Sequence, residues 1–377
     1  MKNYTIVFLL CTLIGCTSKK TEKAYKDPRE SDASMQIAYG LQDSIMIALQ
    51  PTMETQAVVA PAEEDAADDP TLWIHATDRS KSLIFGTHKK KGLYAYTLEG
   101  AEVAFYPVGS VNNVDIRQQV ILGMDTVDLL AASNRSEHGI TLMQIDSIGR
   151  LAPLGQGVFP VSEAIDEVYG FCMGYDQESH LTYLYVNGKN GVIEQYQLIK
   201  DSVVQLQLRR TLKVASQPEG MVVDDISGML YIGEEAVGIW KTSAFDHAID
   251  SLSFIEATSV ANNKAIEADV EGIALYRQDS TQQYLVVSSQ GNFSYALIDM
   301  TMESYMGSFK IVDSNTIDGV EETDGLEVYA GELPGYPKGV LIVQDGFNFD
   351  GEVYKPQNFK VVSWEQVEDA FLTTAAR

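Results

Sequence analysis

Apolar residues occur in this chain mainly as short, strand-like runs separated by polar turns, beginning at about residue 61. From there on, no long stretch has apolar residues at helical spacing until "SWEQVEDAFL", residues 363–372. Six segments share one form: an apolar strand, a short polar loop with a glycine or small residue, and a second strand. These segments are "LIFGTHKKKGLYAY", "LAASNRSEHGITLMQI", "YLYVNGKNGVIEQY", "LYIGEEAVGIWK", "LVVSSQGNFSYALI" and "VLIVQDGFNFDGEVY".

The loop glycines of these six segments recur at intervals of 47, 52, 47, 53 and 55 residues. They are Gly92, Gly139, Gly191, Gly238, Gly291 and Gly346. A repeat of about 50 residues that contains only strands is typical of the blades of a β-propeller. We therefore predict an all-β fold, a six-bladed β-propeller with a central channel, formed by residues 61–377.

A carboxylate also recurs in each repeat, where the first strand begins. The six are Asp69, Asp115, Glu167, Glu219, Glu271 and Asp324, at spacings of 46, 52, 52, 52 and 53 residues. If this strand is the innermost of its blade, the six carboxylates encircle one end of the channel. A second interpretation is that these acids cap turns and form hydrogen bonds between blades.

Carboxylates in such a ring must be protonated or neutralised by cations, because unpaired charges are costly at low dielectric. Carboxylate and backbone oxygens suit calcium, which takes about six to eight oxygen ligands. Zinc is disfavoured, since the five histidines form no pair at ligand spacing. Further acids near the ring are Asp68, Asp269, Asp318, Glu234, Glu235 and Asp345.

Basic residues mark the loops of the first three repeats. These loops carry Lys89, Lys90, Lys91, Arg135 and Lys189, where the later loops carry Glu235, Gln290 and Asp345. Lysine and arginine beside bound metal are what a polyanionic phosphate substrate needs, and a bound metal can activate water. "HKKKG" alone would also fit a solvated hairpin, but cations at two equivalent loops favour a phosphate site.

The overall charge limits the partners. With 53 acidic and 27 basic side chains, the formal net charge is −26, which argues against a nucleic-acid partner. A G-x-S-x-G elbow, a P-loop and a nucleophilic Cys–His pair are all missing from the sequence, so covalent catalysis is not predicted.

The N-terminus predicts export. Residues 1–16, "MKNYTIVFLLCTLIGC", combine Lys2 with a short apolar run and end in "LIGC", which resembles a bacterial lipobox. We expect cleavage before Cys16, its lipidation, and an extracytoplasmic protein that contacts the envelope membrane through this anchor only. An ordinary secretory signal, with a secreted or periplasmic protein, is the alternative. Residues 17–60 are predicted to form a polar tether with one short helix, and Cys172 to be buried.

Together these motifs resemble the β-propeller phytases, bacterial calcium-dependent phosphatases that act on myo-inositol hexakisphosphate. The matching stretches, in family order, are "DAADDPTLW", "THKKKGL", "NNVDIR", "ASNRSE", "EVYGF", "GKNG", "QPEGMVVDD", "YIGEE", "DVEGI", "SSQGN", "DGVEETDG", "VQDG" and "NFKVVSWEQV". They cover nearly all of residues 65–368.

The resemblance implies a role for particular residues. Phosphate-binding or catalytic residues would be Lys89, Lys90, Arg135, Tyr169, Lys189 and Glu219. Ligands of several calcium ions would be Asp68, Asp69, Glu219, Glu235, Asp269, Glu271, Asp318, Asp324 and Asp345. The implied reaction is attack on phosphorus by a water that bridges calcium ions, with a neighbouring site for a second phosphate of phytate. We expect the protein to act as a monomer.

Two positions depart from the family pattern. Gln56 and Phe347 stand where the family often has glutamate, so a peripheral calcium site is in doubt. Two other functions remain open at this point. A calcium-dependent hydrolase of other esters or lactones would not need the Lys89, Arg135 and Lys189 group, and a non-catalytic extracellular binding propeller would not need acids in phase.

Overall fold

The computed structural model describes residues 31–371, so the predicted signal peptide, Cys16 and the start of the tether lie outside the described residues. The first element is helix α1 (Asp32–Ser44), which begins after Ser31 because that side chain accepts a hydrogen bond from the Ser34 amide at 3.0 Å. Two short strands follow, β1 (Ile47–Leu49) and β2 (Met53–Glu54).

The next strands form four-stranded antiparallel sheets, each from strands that are consecutive in the chain. The first blade contains β3 (Ala67–Trp73), β4 (Leu83–His88), β5 (Gly92–Thr97) and β6 (Glu102–Tyr106). The second contains β7 (Val111–Leu122), β8 (Asp125–Asn134), β9 (Gly139–Ile145) and β10 (Leu151–Pro160). The third contains β11 (Val168–Asp176), β12 (Leu181–Gly188), β13 (Val192–Lys200) and β14 (Val204–Lys213). The fourth contains β15 (Pro218–Asp224), β16 (Met229–Glu234), β17 (Gly238–Ser243) and β18 (Ser253–Phe254).

The last two blades also take strands from the N-terminal segment. The fifth contains β19 (Ile273–Arg277), β20 (Gln283–Ser289), β21 (Ser294–Asp299) and β22 (Ser304–Ile311), with β1 added in parallel. The sixth contains β23 (Leu326–Tyr329) and β24 (Val340–Asp345), then, after the hairpin of β25 (Phe349–Asp350) and β26 (Val353–Tyr354), β27 (Asn358–Ser363), against which β2 pairs. Helix α2 (Trp364–Phe371) follows, and single 3₁₀ turns lie at Arg79–Lys81, Glu256–Thr258 and Gln290–Asn292.

This arrangement confirms the predicted six-bladed β-propeller. The first strand of each blade contacts the first strand of the next, and these contacts form a closed circle around the channel. The strands of this circle are β3, β7, β11, β15, β19 and β23. Within residues 31–371, no helix is long and apolar enough to cross a membrane.

The propeller begins earlier in the chain than the boundary predicted at residue 60, because β1 and β2 pair with strands of its last two blades. The register of β2 against β27 pairs Glu54 with Lys360, so the two ends of the chain share one blade. Residues 47–49 and 53–54 are therefore strands of the propeller rather than tether. Strands of three and two residues are too short to show the alternation by which a strand is recognised in a sequence.

Apolar side chains pack between neighbouring blades and join the C-terminal helix to them. Leu142 of β9 and Phe171 of β11 belong to one buried cluster. Trp364 of α2 is fully buried and stacks on Tyr276 of β19, with ring centroids 3.8 Å apart. Cys172 is free and buried, as predicted.

Candidate functional site

The innermost strands of the first four blades are irregular near their start, at the same end of the channel. The strand register shifts between Ala67 and Pro70 in β3, and it shifts at matching points in β7, β11 and β15. A bulge of this kind redirects the side chains within it. The residue pairs inside the shifts are Asp68–Asp69, Asn112–Asn113, Tyr169–Gly170 and Glu219–Gly220.

The fifth and sixth blades place matching pairs directly ahead of their first strands. These pairs are Glu271–Gly272 and Asp324–Gly325. The Gly220 amide donates to the Glu271 carbonyl at 3.1 Å, and the Gly272 amide donates to the Asp324 carbonyl at 3.2 Å. The Gly325 amide donates to the Asp68 carbonyl at 3.2 Å, which links the last blade to the first. We call Asp68, Asn112, Tyr169, Glu219, Glu271 and Asp324 the inner ring.

Glycine is required after several inner-ring residues because the neighbouring blade lies so close. A Cβ atom on Gly220 would lie 2.1 Å from the Glu271 carbonyl oxygen, and one on Gly170 would lie 2.0 Å from that of Glu219. Real Cβ atoms do not approach backbone oxygens at these distances. The close approach brings the ring side chains of neighbouring blades together.

The inner ring differs from the ring predicted from sequence spacing at Asp69, Asp115 and Glu167. Asp69 Oδ2 accepts a hydrogen bond from the Val114 amide at 2.9 Å, and Asp115 Oδ2 accepts one from the Met173 amide at 2.8 Å. These are hydrogen bonds between blades, which was the second interpretation of the repeat. Since a shift of one residue turns a strand side chain to the opposite face, spacing alone did not fix which acid faces the mouth.

Asp69 and Asp115 line a different space, a cavity of about 210 Å³ inside the channel. Arg117 crosses this cavity and binds Asp115 at 2.7 Å and Asp225 at 2.8 Å. Glu327 also lines the cavity, and burial raises the pKa of its carboxyl to about 7. Asp115 and Asp225 inside the channel therefore pair with Arg117, and they form a group separate from the acids at the mouth.

A second set of equivalent positions surrounds the inner ring. In each blade, the residue that follows the second strand donates its amide to a carbonyl of the segment ahead of the first strand, at 2.7 to 3.3 Å. These residues are Lys89, Arg135, Lys189, Glu235, Gln290 and Gly346, which we call the outer ring. Three consecutive blades therefore present cations at the mouth, and the other three present an acid, an amide and a glycine.

Two of the three cations of the outer ring converge on one carboxylate. Arg135 Nη1 and Lys189 Nζ lie 3.6 and 3.4 Å from the same oxygen of Glu167, Oε1. Lys189 Nζ also lies 4.6 Å from the centre of the Tyr169 ring, a cation–π contact. Glu167 is exposed, so this group of charges faces solvent at the mouth.

Lys89 lies between the cationic and acidic sides. Its Nζ contacts both Asp65 oxygens at 2.9 Å and Asp324 Oδ2 at 2.8 Å. Burial alone lowers the pKa of Lys89, but the charges of Asp324, Asp65 and Asp68 outweigh it and raise the pKa well above its usual range. Lys90 is more exposed and lies 3.3 Å from Glu64.

Three carboxylates form the closest acidic group at the mouth. One oxygen each of Glu219, Glu235 and Glu271 lies within 4.8 Å of the others, and all three side chains are buried. Burial, and then the charge of Glu219, raise the pKa of Glu235 to about 8. Burial and the charge of Glu219 likewise raise the pKa of Glu271 well above its usual range. Asp269, two residues before Glu271, is half-buried, and its charge also raises the pKa of Glu235.

Asp68 is the clearest indication that the acidic side of the mouth suits a cation. It is fully buried, and neither of its carboxylate oxygens has a hydrogen-bond partner in the described part of the chain. Burial raises the pKa of Asp68 well above its usual range, and the charges of Glu219 and Asp324 add to this effect although Lys89 opposes it. Buried carboxylate oxygens without donors, beside further carboxylates, fit a hard cation with oxygen ligands.

Besides Asp69, which lines the channel cavity, two further acids predicted as calcium ligands lie elsewhere. Asp345 is the last residue of β24, one position before the outer-ring position of Gly346, so its side chain turns away from the mouth. It binds the buried Lys360 at 2.6 Å, and Asp318 binds the same ammonium at 2.5 Å. These two acids form a separate group, which we call the Lys360 site.

Three polar residues of the mouth were not assigned a role from the sequence. Asn112 Nδ2 donates to Glu219 at 2.7 Å, Gln217 Nε2 donates to Glu235 at 2.6 Å, and Gln290 Nε2 donates to Asp324 at 2.5 Å. The glycines after Tyr169, Glu219, Glu271 and Asp324 were a usable signal for the inner ring. Aligning the repeats on these glycines would have placed Tyr169 rather than Glu167 in it.

Known proteins were compared with the chain as a whole. The phytase family matches residues 29–375. A 3-phytase from Bacillus subtilis (strain 168) is 39% identical over 324 residues, covering 84% of each chain. A solved structure of a protein of unknown function from Bacteroides thetaiotaomicron VPI-5482 is similar in fold alone, with a TM-score of 0.52 and 10% identity over 84% of this chain and 74% of that one. From its sequence and from the length over which it matches, the chain belongs to the phytase family.

Proposed function

We propose that this protein releases phosphate from phytate, myo-inositol hexakisphosphate, in a reaction that requires bound calcium. The observation that carries the proposal is the division of one channel mouth into two sides. Closely spaced buried acids, with Asp68 oxygens that have no donor among the described residues, lie on one side, and Arg135 and Lys189 lie on the other. A substrate with many phosphate groups can contact both sides at once.

Calcium is the cation that suits the acidic side. The residues proposed to hold it are Asp68, Glu219, Glu235, Asp269, Glu271 and Asp324. Their side chains offer only oxygen, and calcium accepts about six to eight oxygen ligands in flexible geometry. When bound, calcium supplies positive charge against the phosphate and can lower the pKa of a bound water.

The basic residues have the task of binding and orienting the phosphate. Arg135 presents a planar guanidinium that can donate two parallel hydrogen bonds to phosphate oxygens, whereas Lys189 acts as a point charge. Tyr169 holds the Lys189 ammonium over its ring. Lys90, next to Lys89 and more exposed, is placed to contact a second phosphate of the same substrate.

Membership of the phytase family favours this function over the two alternatives, an ester or lactone hydrolase and a non-catalytic propeller. The test is phosphate release from sodium phytate by the whole chain, with calcium and then with excess chelator. We expect calcium-dependent release that greatly exceeds release from p-nitrophenyl phosphate. Calcium-independent release, or equal rates on the two substrates, would contradict the proposal.

We also propose that the enzyme is exported, anchored through a lipid on Cys16, and active as a monomer. The support for export and for the anchor is the sequence "LIGC" at residues 13–16. Metabolic labelling with a fatty acid should mark the wild-type protein and leave Cys16→Ser unlabelled. Equal labelling of both proteins would rule out this anchor. The monomeric state is tested separately by size-exclusion chromatography with light scattering, which measures the mass of the protein in solution.

A further inference from the structure

The Lys360 site differs from the group of Glu219, Glu235 and Glu271 at the mouth, because a lysine of the protein supplies its cation. Lys360 lies on β27 and is 0% exposed. Its ammonium donates to Asp318 Oδ1 at 2.5 Å, to Asp345 Oδ2 at 2.6 Å and to the Gly319 carbonyl at 2.7 Å. An ammonium has three N–H donors, and all three have an acceptor here.

The remaining carboxylate oxygens of this site are also satisfied. Asp318 Oδ2 accepts a hydrogen bond from the Phe349 amide at 2.7 Å. Asp345 Oδ1 accepts from the amides of Glu321 and Phe347 at 3.2 and 3.3 Å. All four oxygens therefore have donors, whereas both oxygens of the equally buried Asp68 have none among residues 31–371.

The two positions where glutamate would have added oxygen ligands are committed to other contacts. Gln56 Oε1 accepts a hydrogen bond from the Glu102 amide at 2.6 Å. Phe347 is fully buried and packs edge-on against Phe293, with ring centroids 6.1 Å apart. Phe347 also shares an apolar cluster with Met35 and Ala38 of α1, so an apolar contact replaces a polar one.

We propose that the Lys360 ammonium takes the place of a metal ion at Asp318 and Asp345, so that the last blade closes without calcium. β27, which carries Lys360, pairs with β2 from the other end of the chain, and Asp345 ends the neighbouring strand β24. The covalently attached cation therefore secures the blade in which the propeller closes. A chelator, or a polyphosphate substrate that itself binds calcium, cannot remove it.

The inference rests on the proposed use of calcium at the mouth and assigns a different cation to the Lys360 site. Burial alone lowers the pKa of Lys360, but the charges of Asp345 and Asp318 outweigh it and raise that pKa above its usual range. The two carboxylates therefore favour the ammonium form of Lys360, which is the form that can donate to all three acceptors.

The first experiment counts bound calcium in the full chain by equilibrium dialysis with radioactive calcium. Wild type and Asp318→Asn should bind the same number of ions, whereas Asp68→Asn should bind fewer. Loss of one ion in Asp318→Asn would overturn the inference. If both variants bound as many ions as wild type, the calcium site proposed at Asp68 would be wrong, whereas the inference about the Lys360 site would stand.

The second experiment needs no variant and therefore does not depend on a variant that folds. Hydrogen exchange of the Glu321, Phe347 and Phe349 amides is measured in wild type, with calcium and with excess chelator. Protection of these amides should be unchanged by the chelator, while segments at the mouth, such as residues 217–235, exchange faster. Faster exchange of the three amides without calcium would show that a metal holds the site.

A variant of the lysine itself gives a matched comparison. Lys360→Met should lower the melting temperature by roughly 5–10 °C, in calcium and in chelator alike, because it leaves two buried carboxylates without a counter-ion. Lys338→Met is the control, since Lys338 lies near the same blade and pairs with Glu368 but is largely exposed. An equally small effect of both substitutions would contradict the role given to Lys360.

Discussion

The two acidic regions of this protein are made of the same residue types but differ in what surrounds their oxygens. At the mouth, Asp68 is buried with no donor to either oxygen among the described residues, and Glu219, Glu235 and Glu271 crowd one another. At the Lys360 site, every carboxylate oxygen has a donor and a lysine neutralises the charge. The first region is arranged to take up a cation, and the second already contains one. A buried acid whose oxygens lack donors within the protein is thus stronger evidence for a metal than one whose oxygens all have donors.

The largest expected effect separates the two regions by activity. Glu219→Gln should lower the rate of phytate hydrolysis by roughly 10²-fold or more, because it removes a charge from the centre of the acidic group. Asp345→Asn should leave the activity of the folded protein near that of wild type. Rates are measured at saturating calcium, with circular dichroism to establish the folded fraction. An equal loss of phytate hydrolysis in both variants would show that the two regions do not differ in function.

The cationic side of the mouth should show the next largest effect. Arg135→Ala removes a charged hydrogen-bonding group and should lower kcat/KM for phytate by about 10- to 100-fold. The melting temperature should not change, since the Arg135 side chain is partly exposed and its guanidinium contacts the exposed Glu167 and the Lys89 carbonyl. Lys81→Ala, which removes an exposed lysine beside Asp78, is the control. An unchanged kcat/KM in Arg135→Ala would remove this residue from the phosphate site.

The pH dependence of stability should reveal the cost of ionising the buried carboxyl group of Glu235 at the mouth. Since burial raises the pKa of Glu235 to about 8, the folded protein without metal holds a proton there that the unfolded chain releases near pH 4.5. The free energy of unfolding should therefore fall as the pH rises from about 5 to 8, by up to about 1.4 kcal/mol per pH unit for this group. Urea titrations in chelator measure this, and saturating calcium should flatten the slope. A metal-free stability that rises over this range would contradict the burial of the group.

The smallest expected effect concerns Glu167, the carboxylate between Arg135 and Lys189. It occupies the position at which a phosphate oxygen would meet both cations, so Glu167→Gln should lower KM for phytate a few-fold and strengthen inhibition by inorganic phosphate. The change should stay below about 1 kcal/mol because the side chain is exposed. A higher KM in this variant would mean that Glu167 positions the two cations instead of competing with the substrate.

Much of the site was predictable because the repeat is so regular. The interval of about 50 residues predicted six blades, and the cations at Lys89, Arg135 and Lys189 fell at equivalent positions of three blades. The repeat of carboxylates also placed Glu219, Glu271 and Asp324 in one ring. The spacing failed at Asp69 and Asp345, which lie one residue away from the positions that face the mouth. A β-strand alternates faces at every residue, so an error of one position is enough to assign an acid to the wrong surface.

By itself, the sequence determined the fold, the family and the division of the loops into basic and acidic sets, because these features repeat along the chain and are readable from spacing and residue type. Only the tertiary structure decided which acids share a cation and which are neutralised from within. Lys360 lies 42 residues from Asp318 along the chain, and its partner strand β2 comes from the opposite end. Whether a buried oxygen has a donor depends on contacts between segments distant in sequence, and no local pattern records such contacts.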